Sequence, residues 1–225
     1  MRIREYKKED RESVRRICAE TGFVGSPITE VFCDKELWSD ALTSYYTDWE
    51  PESIFVLEDF KGRVVGYILG CMDSRMELIY LRSLALKFVA KLLSKYFFGG
   101  YDKKSKRFAR YLLFHSRTEI PKSPKHYAHF HINLLDPYRN VKNGSRMMRK
   151  FFLHLKDNNI KGVYCQTFDY EGSRTVNFFK KFGMQELDRK KNNMWKGFIK
   201  GNIDLVTLVY EFKDHMNFVE KFLKG

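Results

Sequence analysis

Residues 126–184, HYAHFHINLLDPYRNVKNGSRMMRKFFLHLKDNNIKGVYCQTFDYEGSRTVNFFKKFGM, decide the fold. Tyr127, His129, His131 and Asn133 alternate with Ala128, Phe130, Ile132 and Leu134, the period of two expected of a strand. Asp136-Pro137 ends it. The turn Tyr138 to Ser145 then feeds a segment whose Met147, Met148, Phe151, Phe152 and Leu155 fall at helical spacing. A turn that leads straight into a helix leaves backbone N–H groups unpaired, with the positive end of the helix dipole behind them. That arrangement suits a phosphate.

The loop Arg139-x-x-Lys142-x-Gly144-Ser145 resembles the pyrophosphate loop of the Gcn5-related N-acetyltransferases, usually Gln/Arg-x-x-Gly-x-Gly/Ala. Arg139, Gly144 and Ser145 fit that pattern, whereas Lys142 stands at the first glycine. Val163 to Phe168 reads as the next strand, and Phe178-Phe179-Lys180-Lys181-Phe182-Gly183-Met184 is similar to the family's Phe-Tyr-x-x-x-Gly-Phe helix end. The resemblance implies an α/β fold: a mixed, mostly antiparallel sheet of six to seven strands flanked by helices and opened between its fourth and fifth strands.

The whole chain, 225 residues with 44% hydrophobic content, suits a single acetyltransferase-like domain over 1–225. Arg2, Arg4, Lys7 and Lys8 precede any apolar run, which argues against a secretory signal. No apolar stretch is long enough to span a bilayer. Cys18, Cys33, Cys71 and Cys165 are scattered without CxxC spacing or nearby histidine clusters, so neither a metal site nor a disulfide framework is expected. A reducing cytoplasm is the expected location.

Met1 to Tyr6 reads as the first strand, and Asp10 as the cap of a helix running to Glu20 and stopped by Gly22. Asp34 caps a second helix, Lys35 to about Tyr46. The resemblance places this helical pair beside the acceptor, which makes Tyr45, Tyr46 and Trp49 either substrate contacts or core aromatics. Ser53 to Phe60, Lys61-Gly62 and Arg63 to Met72 read as a hairpin with Glu58 and Asp59 near its tip.

A helical insertion over 74–125 departs from the family plan. Glu77 to Phe98 and about Lys104 to His115 read as helices separated by Gly99-Gly100, and Pro121 and Pro124 return the chain to the central strand. The acetyltransferase-like domains joined to some O-GlcNAc hydrolases resemble it here. The insertion holds thirteen Lys/Arg against Glu77, Asp102 and Glu119, so 13 − 3 = +10 of the chain's net +13 lies in it. Such a field attracts an acidic partner. Nucleic acid and a membrane surface are secondary candidates, the first because no nucleic-acid-binding signature accompanies the charge. A homodimer stays open.

Glu186 to Lys190 and Asp204 to Phe212 read as the last strands, followed by a short helix over Lys213 to Leu223. The chemistry implied by the resemblance is transfer of an acetyl group from acetyl-CoA to a primary amine of a small molecule or peptide. Backbone groups of Asn133, Leu134 and Leu135 would pair with the pantetheine arm. N–H groups of Asn140, Val141, Lys142, Asn143, Gly144 and Ser145 would hold the pyrophosphate, with Arg139 and Lys142 adding charge. The family's acid, a Tyr, is replaced by Phe179, which lies against the cofactor and has no proton to give; Tyr170 is the substitute candidate. For the base, His131 is preferred because imidazole titrates near neutrality, with Asp169 on the neighbouring strand as a further candidate. Two readings remain: an N-acetyltransferase, and a catalytically impaired relative that binds an acidic partner through its basic insertion.

Overall fold

The computed structural model describes residues 1–212; the expected helix over 213–223 lies outside them. Seven strands form one sheet: β1 (Arg2–Glu5), β2 (Ile54–Glu58), β3 (Val64–Cys71), β4 (Ala128–Leu134), β5 (Gly162–Tyr170), β6 (Gln185–Lys191) and β7 (Ile203–Glu211), in the order β1-β2-β3-β4-β5-β7-β6. Every neighbouring pair is antiparallel except β4 and β5. The helices are α1 (Arg11–Thr21), α2 (Lys35–Trp49), α3 (Ser74–Phe97), α4 (Lys103–Phe114), α5 (Val141–Asp157) and α6 (Thr175–Lys181). This is the open, mostly antiparallel sheet with a helical insertion that the sequence implies.

Alternation along β4 assigns the two faces of the sheet. Ala128, Phe130 and Leu134 are buried against Met147, Met148, Phe151, Phe152 and Leu155 of α5, with Val176 and Phe179 of α6 completing that core. His129, His131 and Asn133 point to the opposite face, covered by α1 and α2, where Val14, Ile17, Tyr45 and Tyr46 pack on β2 and β3. Gly70 on β3 carries no side chain because a Cβ there would come within 2.2 Å of the Phe151 ring. A third cluster joins the insertion to the far end of the sheet: Phe108 of α4 stacks on Trp195, ring centroids 5.4 Å apart.

Two local expectations change. Asp10 does not cap α1 through its side chain, because that carboxylate instead accepts from the Arg4 guanidinium and the Lys7 N–H. Asp34 does cap α2, accepting from the Leu37 N–H, and also receives Lys95 Nζ at 2.7 Å and the Tyr101 hydroxyl at 2.9 Å. One buried carboxylate thereby fastens the insertion to the rest of the domain. At the hairpin tip, Asp59 accepts from the N–H groups of Lys61 and Arg63 and from the Arg63 side chain, so it is a turn-forming residue.

Candidate active site

The parallel ladder between β4 and β5 has only two registered pairs, Ala128 with Val163 and His129 with Tyr164. Beyond them β4 continues to Leu134 on β3, and β5 continues to Tyr170 on β7, so the strands part into a wedge. The register decides which groups face it. The Leu135 N–H bonds the Val65 carbonyl, which by antiparallel alternation turns the backbone of Asn133 and His131 toward β3 as well. Ile132 and Leu134 therefore present their N–H and C=O groups to the wedge. Leu134 leaves its backbone groups facing the wedge, while Leu135 and Asn133 spend theirs on β3. The Asn133 side chain donates to Thr21 Oγ1, tying β4 to the end of α1.

The wedge opens toward the start of α5. Asn140 caps that helix, its side chain accepting from the Asn143 N–H, and the Gly144 N–H already bonds the Asn140 carbonyl. Of the first-turn donors, Val141 and Lys142 remain for an anion. Lys142 is exposed and lies outside the left-handed region, so the turn needs no glycine there. Gly144 serves packing: a Cβ would come 2.9 Å from Phe178 of α6. Asn143 is buried, its side chain donating to the Tyr138 carbonyl. Arg139 pairs with Asp136 at 2.9 Å and lies against Gly25 of the α1–α2 connection, where any side chain would collide with its guanidinium.

Where the strands part, a buried polar network fills the α1–α2 face. Glu77, in the first turn of α3, accepts from the Tyr46 hydroxyl at 2.6 Å, from His129 Nδ1 at 3.0 Å and from the Cys71 thiol at 3.7 Å. The His129 ring stacks on Tyr164, and His131 meets His129 edge-on at 4.7 Å and Tyr46 at 5.8 Å. Burial alone would raise the Glu77 pKa, but the charge and hydrogen bond of His129, with help from His131 and Tyr46, bring it down to about 2. Burial and then His129 depress His131 to about 4, against an opposing pull from Glu77. Burial and Glu77 push the Tyr46 hydroxyl and the Cys71 thiol up, and Tyr164 up to about 12. Thus at neutral pH the site holds a carboxylate, a neutral His131 and protonated hydroxyl and thiol groups. Cys71, Glu77 and His129 also place three donor atoms within 4.8 Å of one another, the spread a metal ion would need.

No family model and no curated protein matches the chain. Solved structures do. SsHAT superposes over 95% of this chain and 98% of its own with a TM-score of 0.61 and 22% identity. The Drosophila melanogaster polyamine N-acetyltransferase covers 94% and 99% at TM-score 0.54 and 15% identity. The Salmonella typhimurium protein yncA, solved with its cofactor acetyl-CoA, covers 96% and 95% at 0.56 and 10%. The fold is that of the Gcn5-related N-acetyltransferases.

Within this acetyltransferase fold the sequence-based candidates separate. His131 sits at the parting of the strands, half-buried, and among the described residues no group hydrogen-bonds its ring. Asp169 shares its face of β5 with Val163 and Cys165, opposite His131, and is held by Arg189 at 2.8 Å together with Asp204. Tyr170 is on the correct face but packs near Trp195, six residues beyond Tyr164, about 20 Å along the strand. Neither joins His131. Phe179 is buried against Phe130, 5.8 Å between ring centroids, on the α5 side of the sheet. Tyr46 is central to the site; Tyr45 donates to Glu50 in a neighbouring network, and Trp49 is exposed against Tyr80. Sequence reasoning missed Glu77 as a site residue. Its signal was present: it is the single acid from Ser74 to Phe98, in a helix whose other charges are all basic.

Proposed function

We propose that the protein transfers the acetyl group of acetyl-CoA to a primary amine, with His131 as the general base. The observation that carries this is the alignment of three features: the β4–β5 wedge, the free N–H groups at the α5 terminus, and the histidine–glutamate network where the wedge closes. Ile132 and Leu134 would pair with the amide groups of the pantetheine arm as an added strand does. Val141 and Lys142 N–H groups would receive the pyrophosphate, and the Lys142 side chain adds a mobile positive charge.

The attacking nitrogen forms its bond to the thioester carbon, the C–S bond breaks, and the nitrogen must shed a proton. His131, neutral above about pH 4, has a lone pair free to take it. Its low basicity suffices because an amine becomes far more acidic once its lone pair is committed to carbon. The Glu77 carboxylate, fixed by Tyr46 and His129, steadies the imidazolium that results. CoA leaves as a thiolate and is protonated by solvent, since a thiol of pKa about 8.5 is an acceptable leaving group without the hydroxyl that Phe179 lacks. That missing hydroxyl favours a second reading, an acetyltransferase-like module that binds through its basic insertion and turns over little.

The experiment is release of CoA thiol from acetyl-CoA in the presence of polyamine, amino-acid and peptide amines. Amine-dependent release is expected. His131→Ala should lower kcat by roughly a hundredfold or more while acetyl-CoA still binds. Binding without turnover toward any amine class supports the second reading, and full activity in His131→Ala removes the base assignment.

A further inference from the structure

We propose that α3 is an interfacial helix that lies on an anionic lipid surface. Among the described residues, the 74–125 insertion contains nine of the thirteen large hydrophobic side chains that are exposed, and it also contains the +10 charge excess. Segments that are both strongly basic and openly apolar are unusual on a soluble surface. α3 is 24 residues, roughly 36 Å, and Leu92 alone on it is fully buried.

The arrangement around the helix is what selects a membrane. At 100° per residue, Ile79, Leu86, Ala90 and Phe97 fall on one line, and Ile79, Leu86 and Phe97 are 59%, 83% and 71% exposed. Arg75 and Arg82 flank that line on one side, Lys87 and Lys91 on the other, and all four are exposed. Phe98, 88% exposed, extends the stripe past the helix end. Glu77, bound into the active-site network, and Lys95, bound to Asp34, lie on the opposite side. An apolar ridge bordered by cations on both edges matches the depth profile of a leaflet, with apolar side chains below the headgroups and cations level with the phosphates. A second copy of the chain would bring two +10 insertions together, which like charge opposes. No helix of the described residues is long and apolar enough to cross a membrane, so α3 would lie along the surface.

The test is co-sedimentation of the full chain with vesicles of phosphatidylcholine alone and of phosphatidylcholine with one-third phosphatidylserine, at low and high salt. Binding is expected only to the anionic vesicles, weakening with salt as exposed charges are screened. The triple reversal Arg82→Glu, Lys87→Glu, Lys91→Glu should reduce it by more than tenfold, each basic residue contributing about fivefold in affinity. Leu86→Glu with Phe97→Glu should reduce it comparably while leaving the charge flanks in place. Melting curves check that both variants fold, and both should retain acetyl-CoA binding, which keeps this proposal separable from the catalytic one. Wild type remaining in the supernatant with anionic vesicles overturns the proposal, as does equal binding by either variant. A stable dimer in sedimentation that Leu86→Glu dissociates also overturns it, because the stripe would then belong to a second copy.

Discussion

α5 and α3 are the two longest helices among the described residues, and they put their apolar residues in opposite places. α5 turns Met147, Met148, Phe151, Phe152 and Leu155 entirely into the sheet, so its register fixes the wedge and aims its N-terminus at it. α3 sends Glu77 inward and leaves Ile79, Leu86 and Phe97 in solvent. The first helix is held by burial of area. The second is held by polar fastenings, Glu77 to Tyr46 and His129 and Lys95 to Asp34, together with Leu92, Phe88 and Tyr96 in the cluster shared with α4. Apolar area on α5 therefore supports folding, whereas the exposed stripe of Ile79, Leu86 and Phe97 on α3 is available for contact.

The largest effect should come from cutting into the α5 side. Phe130→Ala opens a cavity among Phe151, Phe152 and Phe179 and should cost about 3–5 kcal/mol in denaturant unfolding. Leu86→Ala on α3 should change stability by less than about 0.5 kcal/mol. Equal losses would erase the distinction between the helices.

Next in size is Glu77→Gln. Carboxylate loss leaves His129 and Tyr46 without their charged partner and should cost about 1–3 kcal/mol, with a parallel fall in kcat. The pH dependence has a definite sign. The folded pKa of Glu77, about 2, lies below its ordinary 4.5, so its stabilisation is present above about pH 4.5 and is lost as pH falls toward 2. His131 acts in the same direction over a higher window: depressed from 6.5 to about 4, it makes the unfolded chain the better proton binder, so stability falls as pH drops from 6.5 to 4. Because Gln binds no proton, the stability of His131→Gln relative to wild type should therefore rise as pH drops from 6.5 to 4. Parallel profiles would mean that His131 titrates normally.

A smaller effect than at Phe130 is expected at Gly144. Its Cβ would press on the Phe178 ring at 2.9 Å, so Gly144→Ala should cost about 1 kcal/mol by overpacking, and acetyl-CoA affinity should follow stability instead of collapsing on its own. A normal melting temperature with abolished binding would return this glycine to the phosphate.

The comparison also explains what the sequence made legible. Period-two alternation in β4 and helical spacing in α5 are direct consequences of burial on one face, so the strand, the helix and the opening between β4 and β5 could be read from residues 126–184. α4 was readable for the same reason, with Phe108, Ala109 and Tyr111 buried on one face. Glu77 was not, because its role depends on a contact with His129 across 52 residues, and no local pattern encodes which helix will roof the end of β4. Asp169 and Tyr170 lie near the strand end in sequence. The register with β7 and the Arg189 cluster carry them away from His131.

The most direct test of acetyl transfer at the wedge is a calorimetric titration of the purified chain with acetyl-CoA, repeated with Leu134→Pro, which deletes the N–H that faces the wedge. Wild type should bind saturably one-to-one, and the variant markedly more weakly once its folding is confirmed. Absence of heat at millimolar acetyl-CoA in wild type, with an independent thermal-shift assay equally silent, would contradict it.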